Sequence, residues 1–165
     1  MSKRKFRYEI LLVLIFAITL FIFGNSIVGY DMSQNTSNSV SEIILPDKYS
    51  GNETILLIIR KIAHLVEYAM LGFSVMLFVK CVEVNCGKKL YASAFFYVLL
   101  IAVLDEHIQS FSDRTSSTGD ILLDFFGTLI GFTIVLSLFF IFVKRKNMKK
   151  LKEPVITETE SIQRK

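Results

Sequence analysis

Residues 121–143 read ILLDFFGTLIGFTIVLSLFFIFV, an apolar run whose polar side chains are Asp124, Thr128, Thr133 and Ser137. About 20 such residues in a helix cross the roughly 30 Å hydrocarbon core of a bilayer. Lys144, Arg145 and Lys146 follow at once, and the basic segment extends to Lys152, a stop to transfer and an anchor for anionic lipid. Working backwards, Leu90 to Leu104 is a second run, of crossing length if extended to Gln109. Thr54 to Phe78 is a third, interrupted by Arg60, Lys61, His64 and Glu67, and Ile10 to Phe23 is a fourth, preceded by Lys3, Arg4, Lys5 and Arg7. Four runs predict an all-α integral membrane protein, a four-helix bundle of the multi-pass cell-membrane class.

Composition agrees. Of 165 residues 52% are hydrophobic, with 15 Phe and no Trp, and the mean hydropathy is +0.50; this is richer in apolar side chains than a soluble domain needs. Four spans leave short loops and no room for a separate soluble domain. The net charge of +4 does not point to nucleic acid, because Lys and Arg gather beside the apolar runs. With four spans, 15 of the 19 Lys and Arg fall on the side of the two termini and the loop Lys80 to Lys89. That side is expected to be cytoplasmic, so both termini are inside. Cys81 and Cys86 then lie in a reducing compartment as free thiols, and their spacing matches no metal motif.

The stretch Asp31 to Ser41 has no period and is expected to be an outer loop, with Pro46 limiting any helix after it. Glu153 to Lys165, with Pro154, reads as a partly disordered tail. The basic start, the apolar core and Gly24-x-Ser26 are also compatible with a signal peptide.

Two polar clusters carry the chemistry. In Arg60-Lys61-x-x-His64-x-x-Glu67-Tyr68-x-x-Leu71-Gly72, spacings of four, three and four put Arg60, His64, Glu67 and Leu71 on one helix face. The second cluster joins spans three and four: Asp105, Glu106, His107, Gln109, Asp113, Arg114, Asp120 and Asp124, with Gly127-x-x-x-Gly131 allowing close helix packing. Antiparallel neighbouring spans bring both clusters to the same, outer end. An unpaired charge within the bilayer costs at least about 2.5–3.5 kcal/mol, so these groups must face other helices or a wet cavity.

These motifs resemble the VanZ-like membrane proteins, on Arg60-Lys61-x-x-His64-x-x-Glu67-Tyr68-x-x-Leu71-Gly72, on Asp105-Glu106-x-x-Gln109-x-Phe111-x-x-Arg114 and on Asp120-x-x-x-Asp124-x-x-Gly127. The resemblance runs from span one, through Phe23-Gly24-Asn25-Ser26, to span four. It departs at Gly24, where the family more often has Ser, and at Ser112-Asp113-Arg114, where a Pro-Gly-Arg turn is common. It implies a VanZ-like domain over residues 10–143 between a basic N-terminus (1–9) and a basic tail (144–165), and a first span that is retained. It also implies a bacterial cell-envelope protein related to teicoplanin resistance, with no reaction attached.

The expected ligand site is Arg60, His64, Glu67, Asp105, Glu106, Gln109, Arg114, Asp120 and Asp124. Arg60 and Arg114 suit the phosphate or carboxylate of an anionic lipid or lipid-linked envelope precursor. Glu67 is expected to pair with Arg114, or locally with His64. In an enzyme acting on such a lipid, His64, Glu67, Glu106 and Asp120 would be the acids and bases; in a structural subunit the charges would only organise the bundle. Neither a nucleophile elbow nor a metal spacing such as H-E-x-x-H occurs, so no metal and no cofactor is expected.

Orientation is testable in intact cells. A membrane-impermeant thiol reagent should label Cys81 and Cys86 only after permeabilisation. Labelling without permeabilisation would reverse the topology and place the polar clusters inside.

Overall fold

A computed structural model of the chain describes residues 3–27, 53–111 and 118–163, with side chains described in 7–27, 54–111 and 119–148. Four helices make up nearly all of these: α1 (Lys3–Ile27), α2 (Glu53–Cys86), α3 (Tyr91–Ser110) and α4 (Thr118–Gln163). There is no strand among the described residues. Each helix contains a stretch long and apolar enough to cross a membrane: Arg7–Ile27, Thr54–Cys86, Tyr91–Ser110 and Gly119–Met148. The four-span, all-helical architecture expected from the sequence is the observed one. The loop Asp31 to Ser41, Pro46 and the turn Ser112-Asp113-Arg114 lie outside the described residues.

Apolar side chains surround each helix, and the outward ones meet lipid. Phe16, Phe96, Phe126 and Phe140 are 60–70% exposed, which only an apolar solvent makes favourable. The inward ones, Ile22, Tyr68, Leu71, Met76 and Val98 among them, form one core. Successive helices run antiparallel. At one end the Tyr8 hydroxyl lies 3.7 Å from Cys86 Sγ, and the Lys80 ammonium sits over the rings of Tyr91 and Phe139 at 5.0 and 4.9 Å. At the other end Asn25 of α1 meets Glu67 of α2, and Lys61 of α2 meets Asp120 of α4.

Two element ends differ from expectation. The segment from Lys80, expected as a loop, stays helical to Cys86. Its ammonium makes this possible: Lys80 Nζ is 2.8 Å from Glu83 Oε2 and also donates to the Tyr91 hydroxyl, so a long side chain lies along apolar surface with its charge satisfied. Both Cys therefore belong to the end of α2. The helix stops at Gly87, whose φ of +68° is open to glycine, and whose N–H bonds the Glu83 carbonyl at 2.9 Å, a left-handed helix cap. At the C-terminus the backbone of α4 continues through Pro154 to Gln163, where an irregular tail is expected. Proline removes one ladder bond and kinks a helix without forbidding it.

The closest packing is between α2 and α4, and glycine makes it. A Cβ on Gly127 would stand 2.5 Å from the Leu65 carbonyl oxygen and 3.1 Å from Tyr68 Cβ. One on Gly131 would meet the Ala69 carbonyl and the Phe73 N–H, and one on Gly72 the Thr128 carbonyl. The Gly127-x-x-x-Gly131 stripe is thus used inside the bundle, backbone against backbone.

Gly131→Leu should therefore force α4 away from α2, at a cost of at least the 1–3 kcal/mol typical of overpacking, and lower the melting temperature of the detergent-purified protein. Gly24→Ala, where an added Cβ meets nothing within 4 Å, should leave melting unchanged or raise it.

Candidate functional site

The two polar clusters converge, and α1 joins them. Its last turn carries Asn25 and Ser26, both helical rather than forming a junction. Asn25 Nδ2 donates to Glu67 Oε1 at 2.8 Å, and the Ser26 hydroxyl donates to Asp105 Oδ1. The other Asp105 oxygen accepts from Gln109 Nε2 at 3.0 Å, one turn along α3. Asp105 and Ser26 are wholly buried. A carboxylate in this position is satisfied because two helix-borne donors, one from α1 and one from α3, are held against its two oxygens.

Beneath this layer Glu106 and Asp124 are buried too, and Asp124 lies within electrostatic reach of Asp105, Glu106, Asp120 and Glu67. The Tyr68 hydroxyl is enclosed beside Asp105. Nearer the rim, His64 Nδ1 stands 3.8 Å from Glu67 Oε2, both half-buried, and Lys61 bridges to Asp120 at 2.5 Å in the open. Arg60 is half-buried one turn before His64. His107 points away, its ring against Phe111 at 5.0 Å. Among the described residues no three His, Cys, Asp or Glu side chains gather as a metal-binding group.

The stretch that holds the four spans matches a known family. The model of the family described as VanZ/LLP1 matches residues 10–142. The chain belongs to the VanZ/LLP1 family. No curated protein and no solved structure matches it.

In this VanZ-family chain the structure brings together Glu67, Asp105, Gln109 and Asp124, and sets His64, Glu106 and Asp120 around them. Arg114 lies outside the described residues, so its pairing with Glu67 does too; the local alternative, His64, does face Glu67. Four members come from outside the expected site. Asn25 and Ser26 sit at the polar end of the first apolar run, and a four-span topology puts that end beside Glu67 and Asp105. Tyr68 and Lys61 stand within the Arg60 motif itself. A separate cleft of about 470 Å³ lies in the other half of the bundle, lined by residues such as Leu12, Val79 and Ala94.

The Asn25–Glu67 contact can be exchanged. Asn25→Asp alone would set two carboxylates at hydrogen-bond distance and should lower the melting temperature, and Glu67→Gln alone should lower it less. Together they restore a carboxylate–amide pair in reverse, so the double variant should recover most of the loss, with a coupling of about 0.5–3 kcal/mol in a double-mutant cycle. Strictly additive losses would mean that the two side chains do not touch.

Proposed function

We propose that this VanZ-family protein is a cell-envelope membrane protein whose polar end faces outward and holds the head group of an anionic lipid or lipid-linked envelope precursor. The observation that carries the reading is that all four helices supply polar side chains to one end of the bundle. An ionisable residue within the membrane costs a few kcal/mol and is a functional-site candidate by default. Holding helices together would need one satisfied pair, whereas here Glu67, Asp105, Glu106 and Asp124 are contributed from three helices. In this reading the guanidinium groups of Arg60 and Arg114 take the phosphate, for which their fork is shaped. Glu67 with Asn25, both half-buried, take the hydroxyl or amide groups of the head, and the buried Asp105, held by Ser26 and Gln109, fixes α1 against α3 behind them. Such binding at the outer surface would alter how teicoplanin-type compounds reach their target, in line with the family resemblance.

A second reading, catalysis on a lipid-linked substrate, is favoured by a His and a carboxylate set side by side, His64 Nδ1 3.8 Å from Glu67 Oε2, a pair that would have to close to hydrogen-bond distance on substrate binding to pass a proton. His64, Glu67, Glu106 and Asp120 are its acid and base candidates.

Mass spectrometry of lipids retained by the full-length protein purified from native membranes tests both. An anionic envelope lipid should be enriched with the wild-type chain and lost with Arg60→Gln or Arg114→Ala, together with any change in teicoplanin susceptibility that the protein confers. A time-dependent, covalently altered lipid would establish the enzyme instead. Identical lipid profiles for wild type and both variants would refute head-group binding at this end.

A further inference from the structure

At the opposite half of the bundle α1, α2 and α3 part around a cleft of about 470 Å³, within the roughly 300–1,000 Å³ of small-molecule sites. Its walls are apolar, with Leu12 and Phe16 from α1, Phe78 from α2, Leu90 from the turn before α3 and Ala94 from α3. Tyr97 also lines it, but the Tyr97 hydroxyl is engaged by Thr19 at 2.9 Å, so the ring presents a hydrocarbon wall.

Position and charge say what fills it. Leu12 and Phe16 follow Arg7 by five and nine residues, roughly 7 to 14 Å along α1 at the helical rise. Leu90 adjoins Lys89 and Lys88 on the α2–α3 turn, and Arg7, Lys88 and Lys89 are all exposed. Of the nearby acids, Glu83 is already engaged by Lys80 and Tyr91 at 2.8 and 2.6 Å, leaving Glu9 against three cations. A second copy would have to insert a helix. A cylinder about 10 Å across fills this volume with roughly 6 Å of its length, little more than one turn.

We infer that the cleft holds one acyl chain of an anionic phospholipid from the leaflet at the basic end, its phosphate lying between Arg7 and the Lys88–Lys89 pair. This site is separate from the polar end and independent of the reading proposed for it. The lipid would fill the space that the three helices leave and fasten α1, which lacks a glycine seam, to the rest of the bundle.

Photo-crosslinking tests it with the full-length protein in phosphatidylcholine vesicles containing phosphatidylglycerol that bears a photoactivatable group midway along one acyl chain. Adducts should concentrate in residues 12–16 and 90–97, and unlabelled phosphatidylglycerol should compete for them better than phosphatidylcholine. Lys88→Gln with Lys89→Gln should weaken that preference on the order of tenfold or more, from the contribution of each cation near anionic lipid. Ser93→Phe, which narrows the cleft from an exposed position on its rim, should abolish the adducts. The inference is overturned if labelling there is no higher than at the lipid-facing residues 136–142, or if the paired Lys substitution leaves the preference unchanged. Absence of lipid adducts from a protein that runs as a dimer would give the cleft to a second copy.

Discussion

The polar end depends on how closely α4 can lie against α2. In a membrane, lipid tails are as apolar as leucine, so helices gain nothing by hiding hydrophobic side chains from the solvent and associate through close van der Waals fit and hydrogen bonds. Gly72, Gly127 and Gly131 remove the side chains that would hold the two backbones apart. Thr128 lies in this seam opposite Gly72, and its hydroxyl folds back on the Asp124 carbonyl at 3.2 Å. Asp124 is one turn from Thr128, so the contact that buries one buries the other. Tyr68 packs against Gly127 on the facing helix. A carboxyl and a phenol are thus carried into the interior by a backbone fit that neither provides.

The remaining helices are held differently. α1 and α3 have no comparable seam with each other, and polar contacts fix their rotation: Ser26 on Asp105, Asn25 on Glu67, and Thr19 with Tyr97 midway. Interhelical hydrogen bonds of this kind contribute about 0.6–2 kcal/mol each in membranes, enough collectively to select one rotational setting. At the other end Lys80, Glu83 and Tyr91 tie α2 to α3. The same groups that define the candidate site therefore also define the fold near it, and replacing them tests both at once. For that reason a reversed pair is more informative than a deletion.

The number of spans was legible because run length against bilayer thickness is a strong constraint, and the meeting of the Arg60 and Asp105 motifs at one end followed from alternation of direction alone. The Gly127 stripe was legible because small residues four apart have one main use in a membrane helix. Individual partners were not. A helix that is apolar on all sides has no amphipathic stripe to reveal which face turns inward, so nothing in the spacing of Glu67 singles out Asn25. Asn25 and Ser26 also read as the end of a span rather than part of it, since two polar residues after an apolar run are an ordinary exit signal. The end of α2 was misjudged for a related reason: Lys80 reads as leaving the membrane until Glu83 and Tyr91 are seen to satisfy it.

The cap at Gly87 bears on how the chain enters the bilayer in the first place. α2 carries Arg60, Lys61, His64 and Glu67 in the half nearer its N-terminus, which makes it a poor candidate for insertion alone. Only Gly87–Leu90 separate it from α3, a connection short enough for the two to partition as a helical hairpin soon after synthesis. In that hairpin the half of α2 that carries these groups lies at the same end as Asp105 and Glu106 of α3, while Lys61 and Glu67 take their partners Asp120 and Asn25 from α4 and α1. The left-handed glycine thereby keeps the connection tight enough for an unfavourable segment to have its apolar neighbour, α3, directly beside it in the chain.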